Sequence, residues 1–298
     1  MKKYLLIRKK YPNFYYQGYR FWLENNDLVI NFYYDLPNDF KFLHTIKIKD
    51  IEKEKIKEIP KETLENLIFN LGIAEILNYW KLFCSQNIFI PNYLDRKQVD
   101  FWEKFFLRGM GQYFYENKIN FKENNFINFF VGQTKKFQKD KAKLLPNFLL
   151  ALGEGKDSIV SLELFKKYFE ENFQEKLGIF VVNPNLLHLS IISQSAIKKR
   201  IFVERKLDNQ ILKLNQLGYL NGHIPITGIL SFLISLCGVI FGYQNLVFSN
   251  ERSSEEGNTK YLKEIINHQW SKGYEFENLF REYLNSYLIE NLNFFSFL

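Results

Sequence analysis

Cysteine is nearly absent. Cys84 and Cys237 are the only two among 298 residues, far apart and without a CxxC partner. This excludes a disulfide-stapled scaffold and gives no basis for a zinc site; the pair reads as two buried thiols of a reduced, cytoplasmic protein. There is also no arginine stripe and no Lys/Arg block. The net charge of +7 is spread along the chain. Nucleic acid is therefore not an expected partner, whereas a diffusely basic surface suits an anionic small substrate. The opening MKKYLLIRKKYPNFYY starts with charge, but its apolar run is too short for a secretory signal. Residues 224–242, IPITGILSFLISLCGVIFG, come nearest to a membrane span. Pro225 and internal glycines interrupt them, so a buried core helix is expected. No internal repeat and no low-complexity tail is visible.

What is present is enough apolar residue for a packed core, 46% of the chain. Along residues 1–50, aromatic and polar residues alternate, and YRFWLENNDLVINFYYDL predicts two strands around the turn Glu24-Asn-Asn-Asp27. Residues 61–85 and 96–117 switch to helical spacing. The segment 120–143 is polar, Lys-rich and aperiodic. It divides an N-terminal mixed α+β domain (1–143) from a second domain (144–298).

The second part alternates strand and helix. A continuous apolar strand at 144–152 leads into a helix over 158–172 capped by Asp157 or Ser158. Further strands follow at 177–183, 198–206 and 245–250, with the 224–241 helix before the last. Near-continuous apolar strands alternating with helices predict an α/β domain with a parallel sheet covered on both faces.

The first of these strands ends in GEGKDS (153–158). A glycine-rich turn that opens a helix is a phosphate-site geometry. Gly153 and Gly155 let the backbone approach an anion without a Cβ in the way. The N–H groups at the helix start carry partial positive charge. Ser158 adds a hydroxyl and Lys156 a charge. Asp157 is the odd member, because a carboxylate beside a phosphate calls for a divalent cation between them, which points to Mg²⁺. The spacing fits neither GxxxxGK[ST] nor GxGxxG. The 245–250 strand ends in a second polar cluster, SNERSSEEGN (249–258). Ligands of doubly wound sheets bind where loops at the carboxyl ends of neighbouring strands diverge, so the two clusters share one crevice if their strands are neighbours.

GEGKDS resembles the pyrophosphate-binding loop of the PP-loop ATP pyrophosphatases. More narrowly, ERKLDNQILKLNQLGYLNGHIPITGIL (204–230), SNERSSEEGN and NHQWSKGYEFE (267–277) look like the UDP-N-acetylmuramoyl-L-alanyl-L-glutamate epimerase family, MurL. LNYWKLFCS (77–85) and GMGQYFYEN (109–117) fit its N-terminal part. The resemblance implies a PP-loop fold and a cytoplasmic enzyme of peptidoglycan precursor synthesis that uses ATP and Mg²⁺. It would invert the terminal L-Glu of UDP-MurNAc-L-Ala-L-Glu. Two departures stand out. Glu154 occupies a place that is glycine or serine in the family pattern, and the family continues into a cysteine-rich region. That region is expected on a separate C-terminal subunit or a neighbouring reading frame.

The chemistry implied is specific. The α-proton of a peptide-linked glutamate is very weakly acidic, and the adjacent carboxylate makes it weaker. Adenylation removes that charge and lets the carbonyl accept the electron pair. Inversion then needs a base on one face and an acid on the other. His223 is the first choice for proton transfer, competing with a role in orienting its loop, and His268 is the second. Arg252 and Lys272 are candidates to clamp the substrate carboxylate or the phosphates. Asn250 and Glu251 are assigned to nucleotide binding alongside Gly153, Glu154, Gly155, Lys156, Asp157 and Ser158. Asp157 is the metal ligand. His44 and His188 are expected to be solvent or core histidines. The alternatives are another PP-loop activity, tRNA-modifying or amide-forming, and a non-catalytic nucleotide-binding subunit.

Overall fold

A computed structural model describes residues 2–37 and 39–297. The strands in chain order are β1 (Asn13–Glu24), β2 (Asp27–Leu36), β3 (Phe40–Ile48), β4 (Asn87–Ile90), β5 (Asn128–Val131), β6 (Leu145–Ala151), β7 (Leu177–Val182), β8 (Arg200–Lys206), β9 (Tyr243–Phe248), β10 (Thr259–Tyr261), β11 (Glu264–Ile266) and β12 (Asn293–Ser296). Ten of them form one sheet in the order β12-β9-β6-β7-β8-β3-β2-β1-β4-β5, and β10 pairs with β11 in a separate ribbon. Strands β12 to β8 run parallel, β8-β3-β2-β1 antiparallel, and β1-β4-β5 parallel again. The protein is thus an α/β structure around a large, mostly parallel sheet.

The sheet changes character on either side of residue 143 but does not break there. Antiparallel pairing of Thr45 with Lys206 through Ile48 with Val203 joins β3 to β8. A single apolar cluster runs through both halves, from Phe14 and Trp80 to Phe232 and Leu246.

Local sequence explains the elements that were expected. Asn25 and Asn26 take φ of 50° and 69° at the β1–β2 turn, the left-handed angles Asn tolerates and a two-residue hairpin requires. Asp95 and Gln98 form a reciprocal capping box that starts helix Arg96–Gly109. The apolar run becomes helix Ile226–Phe241, almost wholly buried and ended by Gly242 at φ 77°. Each fully buried Leu, Ile or Phe there contributes about 1.5–3 kcal/mol. Among the described residues no helix is long and apolar enough to cross a membrane. Both cysteines are free and buried.

The parallel strands alternate strictly between two cores. Leu149, Phe180 and Leu246 face the large cluster, on the side of helix Ile226–Phe241. Leu150, Ile179, Val181 and Val247 face a smaller one, closed by Leu162 and Phe165 of helix Lys156–Phe169 and by Ile192 of helix Leu186–Ser195. One expectation is corrected here. The helix after β6 begins at Lys156 with an extended Gly155 as its N-cap, so Asp157 and Ser158 lie inside its first turn and do not cap it. No side chain caps this terminus, which leaves its first N–H groups open.

Candidate functional site

β6 and β9 are parallel neighbours, pairing Phe148 with Asn245 through Leu150 with Val247. Their carboxyl ends therefore open side by side. A cavity of about 590 Å³ lies in this crevice, walled by residues of the β6, β7 and β9 ends and by the first turn of helix Ile226–Phe241. Gly153, Glu154, Gly155, Asp157 and Ser158 line one side. Ser249, Asn250 and Lys272 line another. Phe180, Val182, Ile226, Leu230 and Phe248 supply an apolar wall, and Thr227 a hydroxyl.

The loop is held from within. Ser158 Oγ lies 3.1 Å from the Gly153 carbonyl and 2.9 Å from that of Gly155, so its proton is shared between them. The hydroxyl thus braces the turn, and its lone pairs remain free. Gly153 and Gly155 take negative φ, and a Cβ on Gly155 would meet nothing within 4 Å. Neither backbone strain nor internal packing demands glycine there. Glu154 is turned aside, its Oε1 accepting from Asn185 Nδ2. Asn185 is the N-cap of helix Leu186–Ser195, and its Oδ1 accepts the backbone N–H of His188 at 3.1 Å. The same oxygen lies 2.8 Å from His188 Nδ1. The Asn185 backbone N–H, 3.4 Å from the same nitrogen, completes a reciprocal capping box.

His188 is 5% exposed and lines the cavity. The sequence predicts a solvent or core histidine; it is buried, and it lines the cavity as well. The signal was NPNLLH (183–188): an N-cap Asn followed three residues later by His, directly after a parallel strand.

Other expected residues lie around the crevice. Lys156 is exposed at the helix start, and Glu251 and Arg252 are exposed just beyond Asn250. None of the three lines the cavity. Ser296 of β12 fixes the Asn250 backbone, its Oγ accepting the N–H at 2.7 Å and donating to the carbonyl at 2.9 Å. His223 and His268 pack edge to face, ring centroids 5.8 Å apart, outside the cavity lining. The chain joins them to it: His223 precedes Ile226 by three residues, and His268 precedes Lys272 by four. Burial, then the neighbouring His268, holds the His223 imidazole below its ordinary range against the opposing pull of Glu116.

No group of three His, Cys, Asp or Glu side chains among the described residues converges on a point that could hold a metal. Two carboxylates line the cavity: Glu154, engaged by Asn185, and Asp157.

A ten-stranded α/β sheet with a crevice at its parallel carboxyl ends defines the class of architecture. The particular family follows from comparison of the sequence. The model of the MurL N-terminal domain matches residues 6–297, and the chain belongs to that family. Among curated relatives, the UDP-N-acetyl-alpha-D-muramoyl-L-alanyl-L-glutamate epimerase of Xanthomonas oryzae pv. oryzae is 29% identical over 223 residues, 74% of this chain and 48% of the relative. The proteins of the same name from Micromonospora sp. and Salinispora tropica are 30% and 31% identical over 220 residues, 74% of this chain and 47% and 46% of theirs. The chain spans about half the length of the curated relatives it matches. No solved structure matches it.

Proposed function

We propose that the crevice binds ATP as a PP-loop site and that the protein serves the ATP-dependent epimerisation of UDP-MurNAc-L-Ala-L-Glu in the cytoplasm. The observation that carries this reading is the meeting of two separate polar clusters, GEGKDS and the Ser249–Asn250 corner, around one cavity. Open N–H groups at the start of a fourteen-residue helix, together with Lys272, suit a polyphosphate. The empty space at the Gly155 Cβ position suits close approach of that phosphate. The apolar wall of Phe180, Val182, Leu230 and Phe248 suits a purine. Mg²⁺ would be held by Asp157 and the phosphates and would screen their charge.

In this reading the α-carboxylate of the terminal L-Glu attacks the α-phosphate of ATP, pyrophosphate leaves, and the carboxyl becomes a neutral acyl-adenylate. Lys272 orients the phosphates. His223 takes the α-proton, and the pair of electrons moves onto the activated carbonyl. Reprotonation from the opposite face and hydrolysis yield the D-Glu product and AMP.

The relatives' names support the substrate. Their greater length supports a second reading, in which this chain is the nucleotide-binding half of an assembly completed by a C-terminal partner. The test is a mass-spectrometric and chiral assay with ATP, Mg²⁺ and the muramoyl dipeptide. AMP, pyrophosphate and D-Glu appearing with the dipeptide, and not with tRNA, support the epimerase. ATP binding without turnover until the relatives' C-terminal half is added supports the second reading. Absence of ATP binding removes both.

A further inference from the structure

We propose that Lys81 is the second proton-transfer group of the epimerisation, acting on the face of the glutamate α-carbon opposite His223. The proposal rests on the epimerase reading and supplies the partner residue that inversion requires.

Five stretches scattered through the chain converge around His223. Lys81 Nζ donates to the Gly222 carbonyl at 3.3 Å, one residue before the histidine. Tyr113 Oη donates to the Lys81 carbonyl at 2.8 Å and fixes the lysine backbone. Asn117 Nδ2 donates to the Asn221 carbonyl at 2.8 Å, pinning the other side of the same loop. Asn258 spans to helix Gly111–Glu116 through Gln112 Oε1 at 2.9 Å, and its own Oδ1 accepts the His268 N–H at 2.9 Å. The approach is close. Gly222 has φ of +157°, and a Cβ there would lie 3.1 Å from the Tyr113 ring and 3.3 Å from its Cα, both of which favour glycine.

Within this cluster Lys81 has no use yet. It is half-buried, its hydrogen bond goes to a backbone carbonyl, and among the described residues no carboxylate is paired with it. A structural lysine in such surroundings normally carries a counter-ion. Burial, then the Arg205 guanidinium, keeps the amine below the ordinary lysine range. The two residues also begin in complementary states. His223, held neutral, accepts the L-side α-proton, and the Lys81 ammonium donates to the other face. As His223 takes the proton, the C–H electron pair passes onto the acyl carbonyl. It returns to carbon as a Lys81 N–H proton is delivered. Exchange with water resets both groups. In the reverse direction the Lys81 amine abstracts the D-side proton.

The test uses the chain with ATP, Mg²⁺ and each epimer of the muramoyl dipeptide in D₂O. Lys81→Met and Lys81→Arg should both lose inversion by at least about a hundredfold. Pyrophosphate release and deuterium entry into the unreacted L-epimer should continue. His223→Asn should show the mirror pattern, with exchange from the D-epimer only. The arginine variant keeps the charge and the bond to Gly222, so its failure separates proton transfer from folding. Pyrophosphate release with undiminished inversion in Lys81→Met overturns the role of Lys81 alone. Equal loss of exchange from both epimers makes the lysine merely structural and also overturns it. Absence of pyrophosphate release from the unmodified chain, both alone and with the relatives' C-terminal half added, overturns the epimerase reading, and the role with it.

Discussion

Arg205 of β8 closes a buried bidentate pair with Glu75, at the end of helix Lys61–Glu75, although 130 residues separate them. Nε meets Oε1 at 2.8 Å and Nη2 meets Oε2 at 2.6 Å. Arg205 Nη2 also donates to Asn78 Oδ1 at 2.9 Å, and Asn78 Nδ2 donates to Glu75 Oε2 at 2.6 Å. The pair lies where the antiparallel and parallel parts of the sheet meet. Burial pushes the Glu75 carboxyl up, but Arg205, His44 and Asn78 together hold it below the ordinary range.

Removing one partner should therefore cost far more than removing both. Glu75→Ala leaves a buried guanidinium without a counter-charge and is expected to destabilise by about 3–5 kcal/mol. The double variant Glu75→Leu, Arg205→Met should be markedly milder. Urea midpoints of the unmodified protein and the two variants check this, and a double variant at least as unstable as Glu75→Ala would refute it.

His44 sits in the same network, 0% exposed, with Nε2 3.6 Å from Glu75 Oε1 and Nδ1 3.1 Å from Tyr79 Oη. Burial lowers its pKa to about 4, against the pull of Glu75 and with the help of Arg205. Because the folded value lies below the unfolded one, the unfolded chain binds the extra proton first. Stability is full above the unfolded value near 6.5 and is lost as pH falls towards 4, by up to about 3 kcal/mol. His44→Gln should flatten the dependence of the urea midpoint over that window. An unchanged slope would show that other groups cause it.

Gly155 offers a clean separation of folding from binding. Its φ of −80° is open to any residue and a Cβ there meets nothing, so Gly155→Ala should leave the melting temperature unchanged. If a phosphate takes that space, ATP affinity should fall by about tenfold, or 1.4 kcal/mol. Calorimetric titration with ATP measures it. Equal affinity would place the phosphates elsewhere.

Asp157→Asn keeps the shape of the first helical turn and removes one charge. Magnesium-dependent pyrophosphate release should be abolished while folding is kept. Release at the original rate would remove Asp157 from the metal site. Glu154→Gly should leave ATP binding intact, because that carboxylate is already engaged by Asn185; a large loss would make it a ligand.

Much of the frame was legible from the chain. The β1–β2 hairpin, the helical character of 61–85 and 96–117, and all four parallel strands from β6 to β9 follow from period and turn chemistry, although each helical stretch breaks into two helices, Lys61–Glu75 with Leu77–Trp80 and Arg96–Gly109 with Gly111–Glu116. The short strands β4, β5 and β12 were not legible. Four residues carry too little pattern, and their partners lie 40 to 75 residues away, as Asn87 with Asn13 and Asn293 with Asn245. In the site, GEGKDS announced itself through its glycines. His188 did not, because nothing in its neighbours says which strand end its helix will face.

By itself, the sequence determined the local rules: where backbone angles turn left-handed at Asn25 and Asn26, where a glycine-rich turn leads from β6 into a helix, and which strands are apolar on both sides. Those are short-range effects of sterics and hydrogen bonding. Only the tertiary structure decided that β6 lies beside β9, that β3 pairs with β8 to make one sheet of two halves, and that Lys81, Glu116 and His223 meet. These depend on which faces bury together, a choice made by packing across the whole core.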